Sequence, residues 1–198
     1  MKSNIHPLEW LALAAILLAA NVSLLWGEVR TDWVYFPQGR AGWTLFTHPF
    51  VHVTGYHLLL DASAFALLYH SLADWSPLRR WSTVFICGTA SLILTILMTP
   101  DLYRLGFCGL SGIGHGLMAV VGLKTLLNPE VEGLERRIMA GLTLGLLVKV
   151  IIEVATGDVF FKASHLGDVG HPITACHAGG FIGGCLAVMG LNTKGNTS

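Results

Sequence analysis

The chain has 198 residues, of which 53% are hydrophobic and 12% charged. A soluble domain carries about 25% charged residues, so half of the usual water-facing charge is missing. That composition excludes a disordered chain, a coiled coil and a basic nucleic-acid-binding module. Twelve basic residues cancel twelve acidic ones, so net charge points to no partner.

Six apolar segments approach bilayer length: Leu8–Trp26, His57–Ala73, Trp81–Thr99, Leu110–Leu127, Arg137–Ala155 and Pro172–Leu191. A span needs about 20 residues at a rise of about 1.5 Å each, so six of them leave only loops. The expected fold is an all-α polytopic membrane protein, with residues 1–198 forming a single domain of six transmembrane helices. The first segment is longer than the apolar run of a signal peptide and reads as an uncleaved span. With the N-terminus inside, seven basic residues are cytoplasmic (Lys2, Arg79, Arg80, Lys124, Arg136, Arg137, Lys194) and four lie outside (Arg30, Arg40, Arg104, Lys162). The positive-inside rule therefore predicts cytoplasmic N- and C-termini. The longest loop, Gly27–Gly55, holds Trp33, Tyr35, Phe36, Trp43, Phe46 and Phe50. Aromatics at this density suit the headgroup interface, which predicts a membrane-associated loop.

Inside the spans, the exceptional residues are His57, Asp61, Ser111, His115, Lys149, Glu153 and His177. Ionisable groups in a membrane are costly and mark functional sites by default. Charged landmarks act as depth rulers. Ser111 follows Arg104 by seven residues, about 10 Å down a helix. His177 follows Asp168 by nine, about 13 Å down. Asp61 precedes Asp74 by 13, which places it about 10 Å below the outer boundary. Three separate helices thus bring polar groups to one level in the outer half of the bilayer. Taken singly, a membrane Ser packs against its own backbone and a membrane His bonds a neighbouring helix. Paired at one depth, they supply a nucleophile and the base that activates it.

The local sequences allow the two helices to meet. Ser111 sits in Gly109-Leu110-Ser111-Gly112, and His177 is followed by Ala178-Gly179-Gly180-Phe181-Ile182-Gly183-Gly184. Gly112 with Gly116 and Gly179 with Gly183 form small-residue faces that permit close backbone approach. Ser111 opens its helix, where unpaired N–H groups suit an oxyanion. His57 and Asp61, four residues apart, share one helix face and are expected to line the same cavity. The motif is not the G-x-S-x-G elbow of soluble hydrolases, because Ile113 takes the final position.

This constellation resembles the rhomboid family of intramembrane serine proteases, which pairs a GxSG motif opening span four with a His in a glycine-rich span six. The likeness runs from about Trp10 to Leu191. The extended string Gly109–Gly116, with His115, is similar to the rhombosortase branch, whose substrates carry a C-terminal Gly-Gly anchor tail. The resemblance implies a serine endopeptidase of a bacterial inner membrane acting at its outer face. Its partners would be the lipid bilayer and single-span membrane-anchored proteins, with no nucleic acid, cofactor or metal. It implies Ser111 as nucleophile and His177 as general base and later general acid, in a dyad that needs no acidic third member. His57 and the Ser111 backbone N–H would bind the oxyanion, Gly109 would line the site, and His115 would pack on His177. Asp61 stands where the family has an oxyanion Asn. An ionised carboxylate would repel an oxyanion, so Asp61 either is protonated or holds His57 in place. Thr44 replaces the Arg that usually follows the loop Trp, here Trp43.

Cys87, Cys108, Cys176 and Cys185 lack metal-ligand spacing and read as small buried residues, although a Cys108–Cys176 disulfide is conceivable. Lys149 and Glu153 are one turn apart and are expected to pair with each other. His48, His52, His70, His165 and His171 show no ligand spacing. Two other functions compete with the protease: an inactive rhomboid-like protein that binds transmembrane helices, and a haem- or metal-binding membrane protein.

Overall fold

The computed structural model describes residues 5–39, 41–160 and 166–192. Lys2, Arg40, Lys162, His165 and Lys194 lie outside the described residues. Helix α1, Pro7–Asn21, starts at a capping box formed by His6 and Glu9, extends as a 3-10 turn over Val22–Trp26, and stops at Gly27 with φ +75°. A short helix α2, Thr44–Thr47, and a 3-10 turn, His48–Phe50, bend by 95° into α3, Gly55–His70. Thr54 caps α3 by accepting the His57 N–H, and Ser76 caps α4, Pro77–Met98, with proline in its first turn. The short α5, Leu102–Leu105, precedes α6, Ser111–Leu127; α7, Gly133–Thr156, and α8, Ala175–Asn192, complete the order. The six longer helices begin and end within a few residues of the six predicted segments.

Length separates them. Pro7–Trp26, Pro77–Met98 and Gly133–Thr156 are each long and apolar enough to cross a membrane, and the bent pair Thr44–Phe50 with Gly55–His70 makes a fourth candidate. Helices α6 and α8 are apolar but shorter. The 17 residues of α6 rise about 25 Å, less than the hydrocarbon core of about 30 Å.

The polarity of the molecule is inverted relative to a soluble protein. Leu8, Leu18, Leu59, Leu67, Leu97 and Leu142 are exposed, whereas Asp61, Arg80, Thr83, Thr95 and Glu153 are buried. Charged groups avoid lipid by facing the bundle interior. The chain is an integral membrane protein.

Helix α8 packs most extensively on α4 and α6. By spacing alone, Gly112/Gly116 pair with Gly179/Gly183; in the structure the partners are different. A Cβ on Gly180 would lie 1.8 Å from the Gly112 carbonyl oxygen, and one on Gly184 would lie 2.2 Å from that of Gly116. Gly180 and Gly184 therefore face α6. Gly179 and Gly183 face α4, where added methyls would meet the Ala90 carbonyl at 2.5 Å and Cys87 Cα at 2.8 Å. Two glycine stripes one residue apart are about 100° apart around a helix, so each serves a different neighbour.

Two further expectations change. Arg80 is not a solvated cytoplasmic charge: it is 1% exposed and donates to Glu9 Oε1 at 2.5 Å and the Trp75 carbonyl at 2.5 Å. Tyr69 Oη donates to the other Glu9 oxygen at 2.7 Å, so one buried cluster ties α1 to α3 and α4. The aromatics of Gly27–Gly55 also divide. Trp43 and Phe46 are exposed, whereas Trp33, Phe36 and Phe50 pack around Ala20, Val34 and Val51. Tyr35 pairs with Phe107 through two backbone hydrogen bonds of 2.8 and 3.1 Å. Half of the loop is thus core, because it must hold the strand-like segment leading to α6.

The glycine contacts predict opposite outcomes for two alanine substitutions. Gly180→Ala places a methyl inside the α6 backbone and should cost about 3 kcal/mol or more in thermal unfolding in detergent. Gly141→Ala, where nothing lies within 4 Å, should stay within about 1 kcal/mol of wild type.

Candidate active site

The segment before α6 is the scaffold of the site. Gly109 has φ +102°, a left-handed conformation that glycine takes without strain. Its N–H donates to the His48 carbonyl at 3.0 Å, and the next N–H, of Leu110, donates to Asp61 Oδ2 at 2.9 Å. Non-helical backbone at membrane depth persists only where protein groups satisfy it, and His48 and Asp61 do so here. The turn delivers Ser111 as the first residue of α6, whose N-terminus carries no side-chain cap.

Asp61 Oδ2 also faces His57 Nε2 at 3.2 Å and His52 Nε2 at 3.5 Å. The oxygen accepts from the turn and lies beside both histidines. His57 and Asp61 both press on Gly109, where a Cβ would lie 3.0–3.1 Å from each.

Ser111, His115, His177, His57 and Asp61 line one cavity of about 470 Å³, together with Lys149. The predicted level of polar groups on three helices is therefore one site. His115 stacks on His177 with ring centres 3.8 Å apart and planes 14° apart, as the resemblance implied. Ser111 Oγ contacts Cys176 Sγ at 3.5 Å. Among the described residues Ser111 and His177 share no direct hydrogen bond. Hydrogen bonds of this kind often tighten only when substrate binds. Cys108 and Cys176 are free thiols, so the conceivable disulfide is not formed.

Glu153 departs most from expectation. It pairs with Lys149 at 2.7 Å, as its spacing predicted, but its second oxygen accepts from His177 Nδ1 at 2.7 Å. A dyad needs no acidic third member, yet His177 has a carboxylate beside it. The cause lies in the end of α7: Gly157, with φ +73°, turns the chain back, and the Phe160 N–H reaches Glu153 Oε1 at 2.8 Å. His115, Glu153 and His177 hold ligand atoms within 4.8 Å of one another, the spacing of a three-ligand metal site. The Lys149 ammonium already contacts Glu153 at 2.7 Å and His115 Nε2 at 2.8 Å. A cation thus occupies the place a metal would take, and nearly parallel rings do not converge on one point.

Residues 39–193 match the Rhomboid domain model, which covers most of the chain. The chain belongs to the rhomboid family. Membership brings a fold class of serine-type intramembrane proteases that act on membrane-embedded helices. No curated protein matches this rhomboid-family chain.

Sequence reasoning missed His48 and His52. His52 is 0% exposed and His48 is 3% exposed. The signal was present as an ionisable series at 48, 52, 57 and 61: His52, His57 and Asp61 come together, while His48 packs on Phe107 and accepts the Gly109 N–H through its carbonyl.

Removing the Asp61 acceptor should leave the Leu110 N–H buried without a partner. Asp61→Ala should lower stability by about 1–3 kcal/mol. Asp61→Asn, which keeps an acceptor oxygen, should lose about 1 kcal/mol or less in the same unfolding measurement.

Proposed function

We propose that this protein is an intramembrane serine endopeptidase that cleaves membrane-anchored proteins near the outer face of a bacterial inner membrane. The observation that carries the reading is one cavity lined by Ser111 at an uncapped helix start and by His177 at the start of α8. Ser111 Oγ attacks the scissile carbonyl carbon while His177 Nε2 takes the hydroxyl proton. The carbonyl π electrons move to oxygen, where His57 and the Ser111 N–H stabilise the oxyanion. Collapse expels the amine, which takes the proton back from Nε2. Water then repeats the sequence on the acyl-enzyme with the same base.

Residues 1–198 form one unit in which six helices cross, with both termini cytoplasmic. Setting Arg80 aside as buried, six basic residues remain on the inner side against four outside, which supports that orientation. The shortness of α6 supports a catalytic serine below the outer surface, reached by the Gly106–Leu110 segment. The exposed Trp43 and Phe46 suit contact of the first loop with the outer leaflet. The Gly109–Gly116 string with His115 supports the rhombosortase branch, and hence single-span substrates with C-terminal Gly-Gly tails.

A fluorophosphonate probe should label the wild-type protein at Ser111. Ser111→Ala and His177→Ala should each lose labelling, and cleavage of a single-span substrate with a Gly-Gly tail, by about 1,000-fold or more. Wild-type turnover in His177→Ala would remove the assignment. Absence of labelling in the folded wild type would favour an inactive relative that binds transmembrane helices.

A further inference from the structure

Glu153, Lys149 and His115 lie beside the proposed nucleophile and base but take no part in a Ser–His dyad. Glu153 is 0% exposed. A carboxylate at such a place is tolerated only with full pairing, and every contact it makes is directional. Oε2 accepts from His177 Nδ1 at 2.7 Å. Oε1 accepts from Lys149 Nζ at 2.7 Å and from the Phe160 N–H at 2.8 Å. Lys149 Nζ also donates to His115 Nε2 at 2.8 Å, and His115 Nδ1 bonds the Ser111 carbonyl at 2.7 Å.

Donor and acceptor chemistry fixes the protons along this chain. An ammonium only donates, so His115 Nε2 accepts; a carbonyl only accepts, so His115 Nδ1 carries the hydrogen. Glu153 already receives Lys149 and Phe160 on one oxygen and faces His177 Nδ1 with the other. Nδ1 of His177 therefore carries a hydrogen, so the neutral imidazole has Nε2 as its unprotonated nitrogen.

We infer that Glu153 is a positioning residue for the proposed reaction, fixing His177 as the Nδ1–H tautomer and stabilising the imidazolium formed when Nε2 accepts the Ser111 proton. This rests on the protease reading above. The proton on Nδ1 stays on His177 throughout, and only the Nε2 proton moves to and from Ser111 Oγ, the leaving amine and water. Lys149 offsets the charge of Glu153, which lets a carboxylate be buried here. His115 stacks on His177 and bonds the backbone of Ser111, so it sets the distance between base and nucleophile. The intramembrane dyad thereby acquires the third member that soluble serine hydrolases place on their histidine.

The test uses the full chain in detergent and a fluorophosphonate probe, separating the maximal inactivation rate from the probe concentration at half-maximal rate. Glu153→Gln presents an amide that cannot satisfy both His177 and Lys149 as acceptor. It should lower the maximal rate about 100-fold or more while leaving the half-maximal concentration within about threefold, and Glu153→Asp should recover part of the loss. Thermal unfolding of each variant reports its fold. A Glu153→Gln variant that keeps the wild-type rate, in a background where Ser111→Ala is unlabelled, overturns the role of Glu153 and leaves the protease standing. A wild type without Ser111 labelling overturns both. Should Glu153→Gln fail to fold, histidine-selective 15N NMR of the wild type decides, with His177 assigned by its loss in His177→Ala. Hydrogen on Nδ1 supports the assignment, and hydrogen on Nε2 in the resting protein overturns it.

Discussion

The contact on which the structure depends is the backbone meeting of α6 and α8. The Gly112 and Gly116 carbonyls on one helix press on Gly180 and Gly184 of the other, with no space for a methyl group on either of that pair. Methyls on Gly112 and Gly116 themselves would meet Ser91 and Cys87 of α4. Between membrane helices, apolar burial supplies little net attraction because lipid is as apolar as leucine. Close packing of backbones and the polar bonds it permits must supply it. The crossing point lies one residue from Ser111 and three from His177, so the constraint that assembles the bundle also sets the geometry of the site.

The second organising feature is the fate of polar groups. With lipid on the outside, a buried charge finds compensation only inside the bundle. The protein meets this in two places with the same device. Glu9, Tyr69 and Arg80 close one cluster where α1, α3 and α4 meet. Glu153, Lys149, His115 and His177 close another beside the cavity. In each, a carboxylate from one helix engages at least one donor from a neighbouring helix. Asp61 does the same for the turn before α6, accepting the Leu110 N–H beside His57 and His52. Polar residues that a soluble protein would place on its surface here become the connections between helices.

Much of the fold was legible because bilayer length is read directly from apolar runs. The six longer helices lie where those runs lie, and sparse charges ranked Asp61, Ser111 and His177 at one depth. The glycine pairing was misread because Gly179-Gly180 and Gly183-Gly184 present two stripes, and spacing alone does not say which faces which helix. Arg80 was misread because a basic residue beside a predicted span looks the same whether it meets water or Glu9. The pairing of Lys149 with Glu153 was visible as one helical turn, but the second oxygen of Glu153 depends on the distance between two helices.

By itself, the sequence determined which segments are apolar, which residues inside them are ionisable, and how far along each helix those residues sit. These are properties of one dimension. Only the tertiary structure decided that Glu153 reaches His177, that Asp61 holds the Gly109–Leu110 turn, and that His52 stands beside it. Each requires the rotation of one helix about its axis relative to another. That rotation is set by which glycine stripe meets which backbone, and no repeat within a single helix encodes it.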